Sequence, residues 1–96
     1  MEVKLKLMQP LSGLVGAKDL SFEVTGDTLG DLVEQLCREH GPVAGELLDQ
    51  EGGLDLAYAV SIDGALTRSL NANLRDGAEV LIFASIVGGT GIQLGG

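Results

Sequence analysis

The chain predicts an α+β domain, a small mixed sheet with one main helix packed on one face. Three stretches carry that prediction. Val3 to Met8 alternates, with apolar residues at 3, 5 and 7 and lysines at 4 and 6, the pattern of a strand with one buried face. Leu29, Leu32, Val33, Leu36 and Cys37 recur at the offsets that place them on one helical stripe. The apolar run from Val80 to Val87 reads as a strand buried on both faces. Strand, strand, helix, strand, strand is too short an order for a doubly wound architecture, so the helix must cover one face of a single sheet. The last strand is the most apolar and is expected at the centre; if it lies beside the first, the two run parallel.

Taken in order, the first strand stops where Pro10, Gly13 and Gly16 break the alternation, which predicts a loop. Leu20 to Val24 is a second strand with Leu20, Phe22 and Val24 on one face, and a hairpin with the first is expected. Thr25-Gly26-Asp27 is a turn. Thr28 is a good N-cap with Asp31 three residues on, a shortened capping box. Gly41 is expected to cap the helix C-terminus, with Pro42 forbidding continuation. Pro42 to Asp49 suits a short second helix with Val43, Leu47 and Leu48 inward, weakened by Gly45. Ala57 to Ile62 is a third strand closed by the turn Asp63-Gly64. Leu66, Leu70 and Leu74 are expected to anchor an irregular segment to the core, and Arg75-Asp76-Gly77 turns into the last strand.

Composition narrows the function. The 96 residues make one domain, able to bury about 60 to 65% of its unfolded surface. The core must be aliphatic, because Phe22, Tyr58 and Phe83 are the whole aromatic complement. A net charge of −8, from 14 acids against 6 bases, argues against nucleic acid, which needs clustered basic residues, and favours a basic protein partner. Cys37 is the one cysteine, so no internal disulfide forms and a reducing, cytoplasmic setting is expected. Lys4 and Lys6 interrupt any signal-peptide core, and no apolar stretch approaches the roughly 18 residues that span a membrane.

Candidate chemistry is sparse in the body. Cys37 lies on the apolar helical stripe and reads as a structural thiol. His40 has no neighbouring ligand pattern, so no metal site is predicted. The carboxylates are scattered, no pair is spaced for acid/base work, and no catalytic residue is assigned. Gly88-Gly89-Thr90-Gly91 lacks the following helix that a phosphate loop requires. Five of the last nine residues are glycine, and a carboxylate on so slender a segment can be threaded through a slot that any Cβ would block.

Val60-Ser-Ile-Asp-Gly64, then Leu74-Arg-Asp-Gly-Ala-Glu-Val80, an apolar strand and Ile86-Val-Gly-Gly89 together resemble the ubiquitin-like β-grasp sulfur carriers. That family includes the small subunit of molybdopterin synthase and the thiamine-pathway carrier. The resemblance covers nearly the whole chain, and its specific part is the pairing of L-x-D-G-x-E-V with a diglycine about ten residues later. It implies a β-grasp domain over residues 1–87 and a flexible glycine-rich tail over 88–96. It also implies a non-enzymatic carrier that binds no cofactor tightly. A ubiquitin-activating-type adenylyltransferase would use ATP to adenylate its terminal glycine. The resulting thiocarboxylate would then surrender sulfur to the large subunit of a synthase, most like that of molybdopterin biosynthesis.

Two termini fit that chemistry. Gly95-Gly96 is the working end of a long tail, or a processing protease removes residues 90–96 and exposes Gly88-Gly89, which aligns with the family terminus. Seven extended residues span up to about 23 Å, so one activating enzyme cannot accept both ends in one register. Phe83, Ile86 and Val87 are the candidate partner contacts near the tail. The competing readings are a ubiquitin-like modifier conjugated to lysines and a passive interaction domain.

Overall fold

Alternation at the start of the chain gives β1 (Glu2–Leu7), in which Val3, Leu5 and Leu7 are buried and Lys4 and Lys6 exposed. The computed structural model describes residues 1–84. The expected loop after β1 instead contains a short helix, α1 (Leu11–Val15). Its Leu11 is fully buried, and Gly16 ends it at φ 91°, a left-handed conformation that glycine adopts without strain. Proline and glycine therefore bound an element here rather than erase one. The second strand, β2 (Asp19–Glu23), pairs antiparallel with β1, as the hairpin expectation requires.

The main helix, α2 (Leu29–Glu39), starts on the predicted box. The Asp31 N–H donates to Thr28 Oγ1 and the Thr28 N–H donates to Asp31 Oδ2, both at 3.2 Å. Leu29, Leu32, Val33 and Leu36 are buried, while Cys37 is half-buried against the core. The expected Gly41 cap is not there. His40 caps α2 at φ −132°, and Gly41 opens the next helix, α3 (Gly41–Leu47), whose first turn holds Pro42. Proline fits there because an N–H in the first turn has no helical partner to lose.

The third strand, β3 (Tyr58–Ile62), turns at Asp63 and Gly64, both with positive φ, into β4 (Ala65–Thr67), a strand the sequence does not announce. That strand overturns one expected anchor: Leu66 is 73% exposed on β4, whereas Leu74 is buried and Leu70 partly so. The segment that carries Leu70 and Leu74 straps the start of α2. Gly30 N–H donates to Leu70 O, Leu29 N–H to Ala72 O and Leu74 N–H to Asp27 O, each at 2.8 Å.

The last strand, β5 (Glu79–Ala84), lies between β1 and β3 in the order β2-β1-β5-β3-β4, parallel to β1 and antiparallel to β3. Asp76 and its neighbours set the parallel register: Glu2 N–H donates to Asp76 Oδ1 at 2.9 Å, Gly77 N–H to Glu2 O at 2.7 Å and Lys4 N–H to Ala78 O at 2.8 Å. One core joins the inward residues of the sheet, Val3, Leu5, Leu7, Phe22, Val60, Val80 and Ile82, to the buried stripe of the helices. The fold is the ubiquitin-like β-grasp. No described helix is long and apolar enough to cross a membrane. The expected boundary after residue 87 lies outside the described residues.

Candidate functional site

Strand alternation gives the central strand two unlike faces. Val80 and Ile82 are buried beneath the helices, so Leu81 and Phe83 project from the opposite, uncovered face of the sheet, and both are only partly buried. This corrects the expectation that the last strand is buried on both sides. The cross-strand partners explain why that face stays open. Phe83 faces Ala59, Leu81 faces Ser61 and Lys6, and Ser61 faces Leu66. Small and polar neighbours leave the outer apolar side chains with little to pack against.

Met8 extends the strip. Its N–H donates to Ile82 O at 3.2 Å, which carries the β1 to β5 ladder one residue beyond the named strands, and its side chain is 52% exposed. Met8, Leu81 and Phe83 thus form an outward apolar patch at the end of β1 and on β5, next to Ala84, while Leu66 on β4 is set apart from Leu81 by Ser61 of β3. Of the candidate partner contacts, Phe83 stands in this patch, whereas Ile86 and Val87 lie outside the described residues. So do the candidate terminal pairs Gly88 and Gly89, and Gly95 and Gly96. Sequence reasoning missed Met8, Leu66 and Leu81. The signal for Leu81 lay in parity, since a run with Val80 and Ile82 inward must turn Leu81 outward unless a second layer covers it.

The perturbed titratable groups stand elsewhere, each with a local structural cause. The Tyr58 hydroxyl donates to Glu46 Oε1 at 2.9 Å and, mainly through burial, is pushed up to about 12. Burial also raises the Cys37 thiol, which argues against a reactive thiolate. The N–H of Asp27, the Thr28 hydroxyl and the Thr28 N–H lower the Asp31 carboxyl. Among the described residues no three His, Cys, Asp or Glu side chains converge on a position for a metal. Among the described residues the arrangement is suited to presenting a surface rather than a catalytic cluster.

A mixed five-stranded sheet with a helix packed on it, whose last described strand is central, is the β-grasp architecture of small ubiquitin-like proteins. Solved structures of the same fold include SAMP1 from Haloferax volcanii, at 24% identity and a TM-score of 0.79 over 93% of this chain and all of that one. A Pyrococcus furiosus protein provisionally named molybdopterin converting factor subunit 1 is 22% identical with a TM-score of 0.70, over 88% of this chain and 97% of that one. A chain of the BexX/CysO complex of Amycolatopsis orientalis is 22% identical with a TM-score of 0.73, over 91% of this chain and 99% of that one. No protein-family model matches the sequence, and no curated protein matches it.

Proposed function

We propose that this protein is a sulfur carrier, its terminal glycine carboxylate adenylated by a partner and converted to a thiocarboxylate. The observation that supports the reading most is the placement of β5. A strand held between two neighbours carries the outward apolar side chains Leu81 and Phe83, and the sequence beyond it is rich in glycine, with the diglycine Gly95-Gly96. A bare carboxylate is a poor electrophile. Its oxygen attacks the α-phosphorus of ATP, pyrophosphate leaves, and the acyl adenylate then carries AMP as a leaving group that a sulfur nucleophile displaces at the acyl carbon. Every catalytic group for these steps belongs to the partner, so the carrier needs only a slender end and a body to be recognised.

A synthase large subunit is the proposed sulfur acceptor, with molybdopterin biosynthesis as the favoured pathway, and the cytoplasm is the proposed location. Incubation with a cognate activating enzyme, ATP and a sulfur donor, followed by intact mass analysis, tests the reading. The expected product is heavier by the exchange of one carboxylate oxygen for sulfur; an unchanged mass refutes it. Intact mass of protein from its native cell separates Gly96 from Gly89 as the working end. Resemblance to SAMP1 favours a second reading, conjugation to lysines of other proteins, for which immunoblots of native lysate would show ladders of higher-mass species.

A further inference from the structure

We infer that the trough at the end of β1, walled by Lys6 and Lys18 and floored by Met8 and Leu81, receives an acidic segment of the activating partner. A partner Asp or Glu carboxylate lies between the two ammonium groups, and an apolar side chain beside it packs on Met8 and Leu81. The inference rests on the carrier reading and deepens it by giving the partner's contact surface a charge, acidic at this trough although the net charge of −8 taken alone favours a basic partner.

Basic groups are scarce in a chain of net charge −8, and the arginines are largely committed elsewhere. Arg75 pairs with Asp63 at 3.2 Å, and Arg68 donates to the carbonyls of Leu54, Asp55 and Tyr58. All three lysines of the sequence lie on or beside β1. Lys4 and Lys6 project from the uncovered face because Val3, Leu5 and Leu7 are buried, and the Leu7 N–H donates to Lys18 O at 2.9 Å, which fixes Lys18 beside the end of β1. Among the described residues no lysine takes part in an ion pair. Asp19 stands across from Lys6 and lines the same trough, leaving it one positive charge in excess.

Charge is also ordered along the strand. Glu2 faces Glu23, and Lys4 faces Glu79, at the start of β1, whereas Lys6 and Lys18 stand at its end, where β5 also ends. The face is therefore negative at one end and positive at the end where the described chain stops. An oriented pattern of this kind steers a partner and fixes its orientation, and the net negative charge of the chain disfavours the same acidic segment over most of the remaining surface.

The test is the KM for the carrier in ATP-dependent adenylation by the activating enzyme from the same cell. For the double variant Lys6→Glu and Lys18→Glu we expect KM to rise about tenfold or more at low salt, with kcat at saturation unchanged and the difference shrinking as salt is raised. Lys6→Gln with Lys18→Gln, which disturbs the fold least, is expected to show a smaller rise in the same direction. Arg38→Glu, on the exposed side of α2, is expected to leave KM within about twofold. Unchanged KM in both lysine variants, or an equal rise for Arg38→Glu, overturns the inference while the carrier reading stands. Failure of the unaltered protein to be adenylated removes both.

Discussion

At the scale of single residues, two helical glycines predict opposite outcomes. A Cβ on Gly30 would lie 3.0 Å from the carbonyl oxygen of Leu70, a backbone atom that also accepts the Gly30 N–H. Gly30→Ala should therefore destabilise, despite the gain of up to about 1 kcal/mol that alanine brings to a helix interior. At Gly45 in α3 a Cβ would meet nothing within 4 Å, so Gly45→Ala should stabilise by about 0.5 to 1 kcal/mol. Thermal melts of the two variants check both signs.

Protonation acts at the same scale. The Asp31 carboxyl is lowered in the folded state, so its support for α2 is present above the ordinary carboxylate range and is lost as pH falls through the lowered value. Tyr58 behaves in the opposite sense. Its folded value of about 12 exceeds the ordinary 10, so its contribution is complete below 10 and fades as pH rises through 12. Tyr58→Phe should flatten the alkaline loss of stability between those values, and pH-dependent denaturant melts read the change directly.

Among the elements, the segment between α3 and β3 depends on two side chains. Asp49 folds its turn by accepting from the N–H groups of Glu51 and Gly53, while the Arg68 guanidinium collects the carbonyls of Leu54, Asp55 and Tyr58. Arg68→Lys should not restore what Arg68→Ala removes, because a single ammonium cannot reproduce the planar fork. Both variants are expected to lose hydrogen-exchange protection at the amides of Asp55 and Tyr58 with little change in the β1 to β5 ladder.

β5 divides stability from recognition by parity. Ile82→Ala should cost about 2 to 5 kcal/mol, because the side chain is fully buried in the core. Phe83→Ser, one residue on, should cost far less and instead weaken partner binding, read as a loss of adenylation without a matching fall in melting temperature.

For the whole molecule, the carrier reading requires that body and chain end be separable. Deleting Gly96 should abolish activation if Gly95-Gly96 is the working terminus, and the melting temperature should not move. An unmoved activity in the deletant, together with a native-cell mass ending at Gly89, would assign the role to the shorter end.

Local pattern was enough for much of this. The alternation in β1, the helical stripe and Thr28 box of α2, the turn at Asp63-Gly64 and the central placement of β5 were all legible, because each depends on neighbours a few residues apart or on total hydrophobicity, whereas the parallel pairing followed only once β5 was known to lie beside β1. α1 and β4 were not. Five and three residues are too few to show a period, and Leu11 becomes an anchor only once the core surrounds it. Leu66 and Leu74 look alike in sequence, yet one is exposed and the other buried, since the turn after β3 decides which side of the sheet each can reach.

The sequence by itself determined the four longer strands, the main helix, the aliphatic core and the glycine-rich end, for these follow from side-chain chemistry and spacing along the chain. Only the tertiary structure decided which face of β5 stays uncovered and which side chains join across it. Leu81 is far along the chain from Lys6, Met8 and Lys18, and the parallel pairing of β1 with β5, held at Asp76, brings it beside them.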